Sequence, residues 1–361
     1  ILPVVPMFHV NAWGVPYVAP MVGAKLVFPG PALDGKSIYE LLESEKATAA
    51  AGVNLSKSGA NLTGMGLGAG MGDVTYTGTF TPGIAGIYRL GGGGSVLNYA
   101  SAIGGSYESR VDIIGTSAAF TGTNTFKGGL VLNAGGTLQV LPTSVSAGYG
   151  LSPGGLIVNG GTIRWASGST VDITSGAGAI SGGVSLLSTV LVDTNGNNVE
   201  LAGSIGNRAA TGNSREGLSG GLTKMGLGVL TLSAANTFTG NTTVIDGSIL
   251  LKHSDALAYS GINYTNVMSA ASVVFDSSVA SRTFTIGGLF GTSYAMALAD
   301  NAGNPITLRV GNGGQNSTYG AAFSGAGSLV KLGSGTLNLN AVAQTYTGST
   351  TLLGGTTTLE N

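Results

Sequence analysis

Gly221-Leu222-Thr223-Lys224-Met225-Gly226-Leu227-Gly228-Val229-Leu230-Thr231-Leu232, followed by Asn236-Thr237-Phe238-Thr239-Gly240-Asn241-Thr242-Thr243, is the stretch that decides the fold. It returns as Ser328-Leu329-Val330-Lys331-Leu332-Gly333-Ser334-Gly335-Thr336-Leu337-Asn338-Leu339 and Gln344-Thr345-Tyr346-Thr347-Gly348-Ser349-Thr350-Thr351. A degenerate third copy holds Asn124-Thr125-Phe126-Lys127-Gly128, so the pattern amide-Thr-aromatic-x-Gly occurs three times. Shorter echoes at 130–138 and 156–163 give an elementary period of about 20 to 25 residues, the length of a solenoid rung. Leu230 with Leu232, and Leu337 with Leu339, alternate with polar residues and are bounded by Gly, Asn and Thr, which marks strands. Residues 54–361 therefore read as an all-β, right-handed parallel β-helix, each rung burying its inward side chains against the next. A β-sandwich array, with hairpins and longer repeats, is the runner-up.

Composition agrees with a folded, glycine-punctuated coil. The chain has 64 glycines, 43% hydrophobic residues and only 9% Asp, Glu, Lys and Arg, where about 25% charged is usual. Disordered chains are apolar-poor and highly charged, so disorder is excluded. With 15 basic and 16 acidic residues the net charge is -1, which leaves no basic stripe for nucleic acid. Zero cysteines remove disulfides and thiolate sites, and His9 and His253 are the only imidazoles, so no multi-histidine zinc site is expected. Residues 1–24 lack charge, but Pro3, Pro6, Pro16 and Pro20 break any spanning helix. The start at Ile1 and the end inside a Thr-rich pattern suggest a piece of a longer protein.

Before Val53 the text differs. Residues 24–28 read as a strand and 37–46 as a helix, opened by the capping box Ser37-x-x-Glu40 with Ile38, Leu41 and Leu42 on one face. Between them, residues 30–37 satisfy G-x-x-x-x-G-K-S, but Pro31 removes a backbone donor and Asp34 places a negative charge where phosphate would lie. A surface turn before a capped helix is the preferred reading. The residues Pro6-Met7-Phe8-His9-Val10-Asn11-Ala12-Trp13-Gly14, with Ala19-Pro20-Met21-Val22-Gly23-Ala24-Lys25 and Val27-Phe28-Pro29-Gly30-Pro31, resemble the AMP-forming fatty-acyl-CoA synthetases. The resemblance covers residues 1–53 and stops at Asn54, so it implies an incomplete α/β fragment joined by gene fusion, rearrangement or misjoined sequence. It implies that His9, Asn11 and Trp13 are relics of an acyl-substrate pocket. ATP, magnesium and CoA would belong only to an intact ligase, because the ATP loop, adenine motif and C-terminal lysine of that family are missing. No cofactor and no catalysis are expected.

The repeat itself, G-x-L-x-K-x-G-x-G-x-L-x-L followed by N-T-F-T-G-N-T-T, resembles the autotransporter-associated β-strand repeat. That resemblance implies a secreted, surface-exposed passenger stalk of a Gram-negative bacterium, anchored in the outer membrane only through a C-terminal barrel not contained here. The parent of residues 1–53 would be cytoplasmic. Lys224, Gly226, Gly228, Asn236, Gly240, Lys331, Gly333, Gly335, Gln344 and Gly348 are the structural residues of the motif. Asn124, Asn236 and Gln344 are expected to bond backbone groups locally at corners, and Lys224 and Lys331 to be solvated. An enzyme or binder of polysaccharide is the remaining alternative: Asp172 and Asp193 could align on stacked rungs, and Trp165, Phe238 and Tyr346 could form a platform, although core packing is preferred for the aromatics. Gly91 to Ser95 resembles a calcium nonapeptide but lacks its Asp. The expected partners are an extracellular surface or glycan.

Overall fold

The computed structural model describes Leu2–Pro3, Ala50–Ala51 and, between 67 and 360, all residues except 70–71, 79–85, 92–93, 105–108, 144–153, 208–218, 265–271, 293 and 341–342. Leu2–Pro3 pairs in parallel with Ala50–Ala51. The expected strand at 24–28, the helix at 37–46, the phosphate-loop pattern at 30–37 and the pocket residues His9, Asn11 and Trp13 lie outside the described residues. The chain divides into two compact units, 1–139 with 147–154, and 140–146 with 155–361.

In the first unit, Ile87–Gly91, Arg110–Ile114 and Leu130–Asn133 stack in parallel, Val111 opposite Leu130 and Ile113 opposite Leu132. Val74–Tyr76, Val96–Tyr99 and Ser117–Phe120 form a second parallel stack. In the second unit the main stack runs from Thr162–Trp165 through Val190–Asp193, Leu222–Met225, Thr242–Val244, Leu257–Asn263, Thr283–Phe290, Thr307–Val310 and Ser328–Lys331 to Thr350–Leu352, each strand parallel to the next. Other walls of the coil are built the same way, Val199–Leu201, Val229–Leu232, Ser248–Leu251 and Ser272–Phe275 forming one. Hairpins would give antiparallel ladders; parallel pairing between strands a rung apart is a β-solenoid, and the sandwich alternative falls. Among the described residues the helical content is a single 3-10 turn, Gly176–Gly178.

Period two does the packing. Leu230 and Leu232 point inward, as do Ile249 and Leu251 below them and Val273 and Phe275 on the next rung, all buried. Like stacks on like because the register is direct: Leu230 opposite Ile249, Ile249 opposite Val273. Each rung thus supplies two or three inward apolar side chains per strand, and a solenoid is stabilised by the contact of each rung with its neighbours.

Candidate functional site

Lys224 and Lys331 are 0% and 1% exposed, which corrects the expectation that they are solvated. Each lies at the inward parity of its strand. Lys224 stacks between Val192 and Val244, so its aliphatic stem occupies an apolar column. Lys331 likewise follows Val310 and precedes Leu352. The ammonium tip reaches the corner after the strand and satisfies carbonyls there. Lys224 Nζ donates to Met225 O at 2.9 Å, Gly226 O at 2.6 Å and, in the following rung, Asp246 O at 3.2 Å. Lys331 Nζ donates to Leu332 O at 2.5 Å, Gly333 O at 3.2 Å and, in the following rung, Gly354 O at 3.4 Å. Burial pulls Lys224 down to about 8, against the opposing pull of Asp246 and Asp193. Burial lowers Lys331 as well.

The glycines of the motif make room for this arrangement. Gly247 and Gly355, each on the rung after a lysine, have φ of 67° and 67°. A Cβ at Gly247 would stand 2.9 Å from Lys224 Nζ, and one at Gly355 2.8 Å from Lys331 Nζ. Gly226, Gly228, Gly240, Gly333, Gly335 and Gly348 approach backbone of an adjacent rung so closely that a Cβ would collide with it. At Gly240 the nearest atom would be Gly220 C, 2.6 Å away.

The recurrent amides also act across rungs, which corrects the local-corner expectation. Asn124 Oδ1 accepts from Ile103 N at 2.7 Å, 21 residues back. Asn236 Oδ1 accepts from Ile205 N at 2.8 Å, 31 residues back, and its Nδ2 donates to Ala256 O at 2.9 Å, 20 residues forward. Gln344 Oε1 accepts from Phe323 N at 2.8 Å, 21 residues back. A buried carboxamide offers both a donor and acceptor, so Asn236 ties three rungs together.

The remaining candidates separate. Arg164 stands opposite Asp193 and pairs with it at 3.2 Å. Asp172 instead accepts from Thr174 N at 2.7 Å and Ala202 N at 2.9 Å, so Asp172 and Asp193 do not form a stacked acid pair. Trp165 is fully buried and donates from its indole to Val171 O at 2.9 Å; it is core, not a platform. Phe238 is core too, and Tyr346 is half-buried with its ring 6.1 Å from that of Phe323. His253 sits at a bend and accepts from Asp255 N at 3.0 Å. Among the described residues no group of three or more His, Asp or Glu could hold a metal ion, and no helix is long and apolar enough to cross a membrane.

A parallel β-solenoid whose rungs are joined by a buried lysine and a buried amide is the class these observations define. The model of the Passenger-associated-transport-repeat matches residues 119–140, 222–251 and 329–359, the three segments that hold the amide-Thr-aromatic pattern. The chain is 31% identical to the adhesin BmaC autotransporter of Brucella suis, in a match spanning 56% of this chain and 5% of that protein. Residues at the other end are similar to a different class: 72% identity over 53 residues to a medium-chain-fatty-acid–CoA ligase of Ectopseudomonas oleovorans, and 62% over 53 residues to a long-chain-fatty-acid–CoA ligase of Thermus thermophilus. Each ligase match covers 15% of this chain and 10% of the relative. The chain thus spans about a tenth or less of the length of these relatives. No solved structure matches it.

Proposed function

We propose that residues 54–361 are a structural stalk segment of a secreted, surface-exposed autotransporter-type passenger, without catalysis of their own. The repeat match at three places along the chain, each on parallel strands of a β-solenoid, carries this reading. Nearest-neighbour stacking lets each rung fold on the last, which suits export of an unfolded chain. The absence of cysteine avoids oxidative trapping in the periplasm. Outer-membrane attachment would come from a translocator barrel elsewhere in the parent protein. The test is to place residues 54–361 between a signal peptide and a heterologous translocator barrel. Added protease should then release a folded fragment from intact cells; retention of the segment inside the cell would count against the reading.

A second reading, acyl-CoA ligation, is favoured only by the 53-residue match. Adenylation depends on positioning ATP phosphates and stabilising developing charge, and the 53 matched residues correspond to only 10% of the ligase. ATP–pyrophosphate exchange with a medium-chain fatty acid is expected at background; exchange above background would restore the ligase.

A further inference from the structure

One strand breaks the ladder. In Leu257–Asn263, Leu257 pairs with Ile286 and Gly261 with Gly288, so Ala258, Tyr259 and Ser260 stand opposite Gly287 alone. The surplus residues bulge, and Tyr259 faces solvent at 45% exposure, whereas Tyr99, Tyr264 and Tyr319 are fully buried. Bulges re-aim a side chain, and a regular repeat departs from its own pattern where something other than packing is served.

The bulge is held from both sides. Ser260, itself 1% exposed, donates from Oγ to Gly240 O at 2.6 Å and meets Thr242 Oγ1 at 2.8 Å on the preceding rung. On the other side Asn312 Nδ2 donates to Ala258 O at 3.1 Å, reaching back 54 residues. Gly287 supplies a flat floor: a Cβ there would stand 2.5 Å from the Tyr259 carbonyl carbon. Gln315 lies along the same face, its Nε2 donating to Thr239 O at 3.2 Å across 76 residues. A Cβ at Gly261 would meet Phe290 Cε2 at 2.6 Å, Asn241 Oδ1 at 2.8 Å and Gln315 Oε1 at 3.3 Å, so an aromatic edge and two amide oxygens converge over that glycine. Asn312 and Gln315 are each pinned through one N–H to backbone, which fixes their carboxamides on this face. A rigid tyrosine offers an amphipathic ring at low entropic cost, and fixed carboxamides offer directed acceptors. None of these side chains carries a formal charge.

We propose that the face built on Tyr259, Asn241, Asn312 and Gln315 binds an uncharged glycan, a sugar ring laying its C–H face on the phenol and its hydroxyls on the amide oxygens. The site rests on the stalk reading only for its access to the outside, so it is tested on the purified full chain. That chain is probed with cello-, manno- and galacto-oligosaccharides, with polygalacturonate and hyaluronan as acidic controls. Binding to at least one neutral probe is expected. Tyr259→Ala should weaken it by about tenfold or more, and Tyr259→Phe should retain it. Circular dichroism melting of both variants separates loss of the site from loss of the fold. No binding to any neutral probe, binding to the acidic probes alone, or equal binding by Tyr259→Ala would overturn the proposal. Failure of surface display leaves it standing.

Discussion

Lys224 Nζ lies 3.2 Å from the carbonyl oxygen of Asp246, one rung ahead of it. The same forward bond joins Lys331 to Gly354, so the two clear copies of the repeat share one device. A charge taken out of water is costly unless it is fully hydrogen-bonded. Two of the three acceptors come from the lysine's own corner and the third only when the next rung docks, which couples adjacent rungs.

Replacement separates stem from tip. Lys224→Met keeps an unbranched stem in the column between Val192 and Val244 but leaves three carbonyls without the ammonium, and is expected to cost about 1–3 kcal/mol. Lys224→Ala also opens a cavity and should cost about 2–5 kcal/mol. Hydrogen exchange at the Ile245 amide, which donates to Lys224 O at 2.9 Å, should accelerate in both. Unchanged exchange there would mean that the lysine does not join the rungs.

The amide ladder has its own signature. Asn236→Asp preserves the acceptor for Ile205 N but removes the donor to Ala256 O and buries a carboxylate. Asn236→Ala removes both bonds. Each is expected to destabilise by about 2–4 kcal/mol in denaturant melts, with Asn236→Asp recovering partly as the pH falls and its carboxyl is protonated. Equal stability of Asn236→Ala and the parent would place the tie elsewhere.

Gly247→Ala should be among the more damaging small substitutions. The residue is at φ 67°, and the new methyl would stand 2.4 Å from Gly228 O and 2.7 Å from Gly226 O as well as 2.9 Å from Lys224 Nζ. Pairing it with Lys224→Met removes the ammonium contact but neither the backbone strain nor the carbonyl clashes, so the double variant should be only slightly less destabilised than the sum of the two. Simple additivity in thermal melts would show that methyl and ammonium do not meet.

Stability should rise with pH across a defined window. Lys224 titrates near 8 when folded and near 10.5 when unfolded. The unfolded chain therefore binds more protons between these values. The burial penalty is fully present below about 8 and fades as the pH climbs, by at most about 1.4 kcal/mol per pH unit. Above 10 the trend reverses, because burial holds the Tyr264 and Tyr319 phenols well above the ordinary tyrosine value and the unfolded chain loses those protons first. Lys224→Met should flatten the rise and leave the fall.

Much of this was legible in the residues. Alternation at Leu230 and Leu232 marks the strand face, and the spacing of Asn124, Asn236 and Gln344 marks the repeat. The buried lysines carried a signal as well: Leu222 and Lys224, like Leu329 and Lys331, share parity, so period two points both inward. Lysine's usual preference for water argued the other way, and only the three carbonyls, two at its own corner and one on the next rung, overturn it. Asp172 and Asp193 were not separable by counting, because the rungs there are longer than the 21 residues between them; Asp172 reaches Ala202, 30 residues on. Tyr259 was invisible for a related reason, since a bulge exists only relative to its neighbour's register.

The most direct test of the solenoid is a cross-link, and the native chain contains no cysteine to confuse it. Thr223 stands opposite Thr243 on the next rung, at the roughly 4.8 Å spacing of paired strands, within the range a disulfide spans. Thr223→Cys with Thr243→Cys should close one intramolecular disulfide under mild oxidation and melt no lower than the reduced form. Thr223→Cys with Ile245→Cys, two residues out of register, should stay largely open. Failure of the in-register pair to close, or preference for the shifted pair, would contradict parallel stacking and with it the stalk.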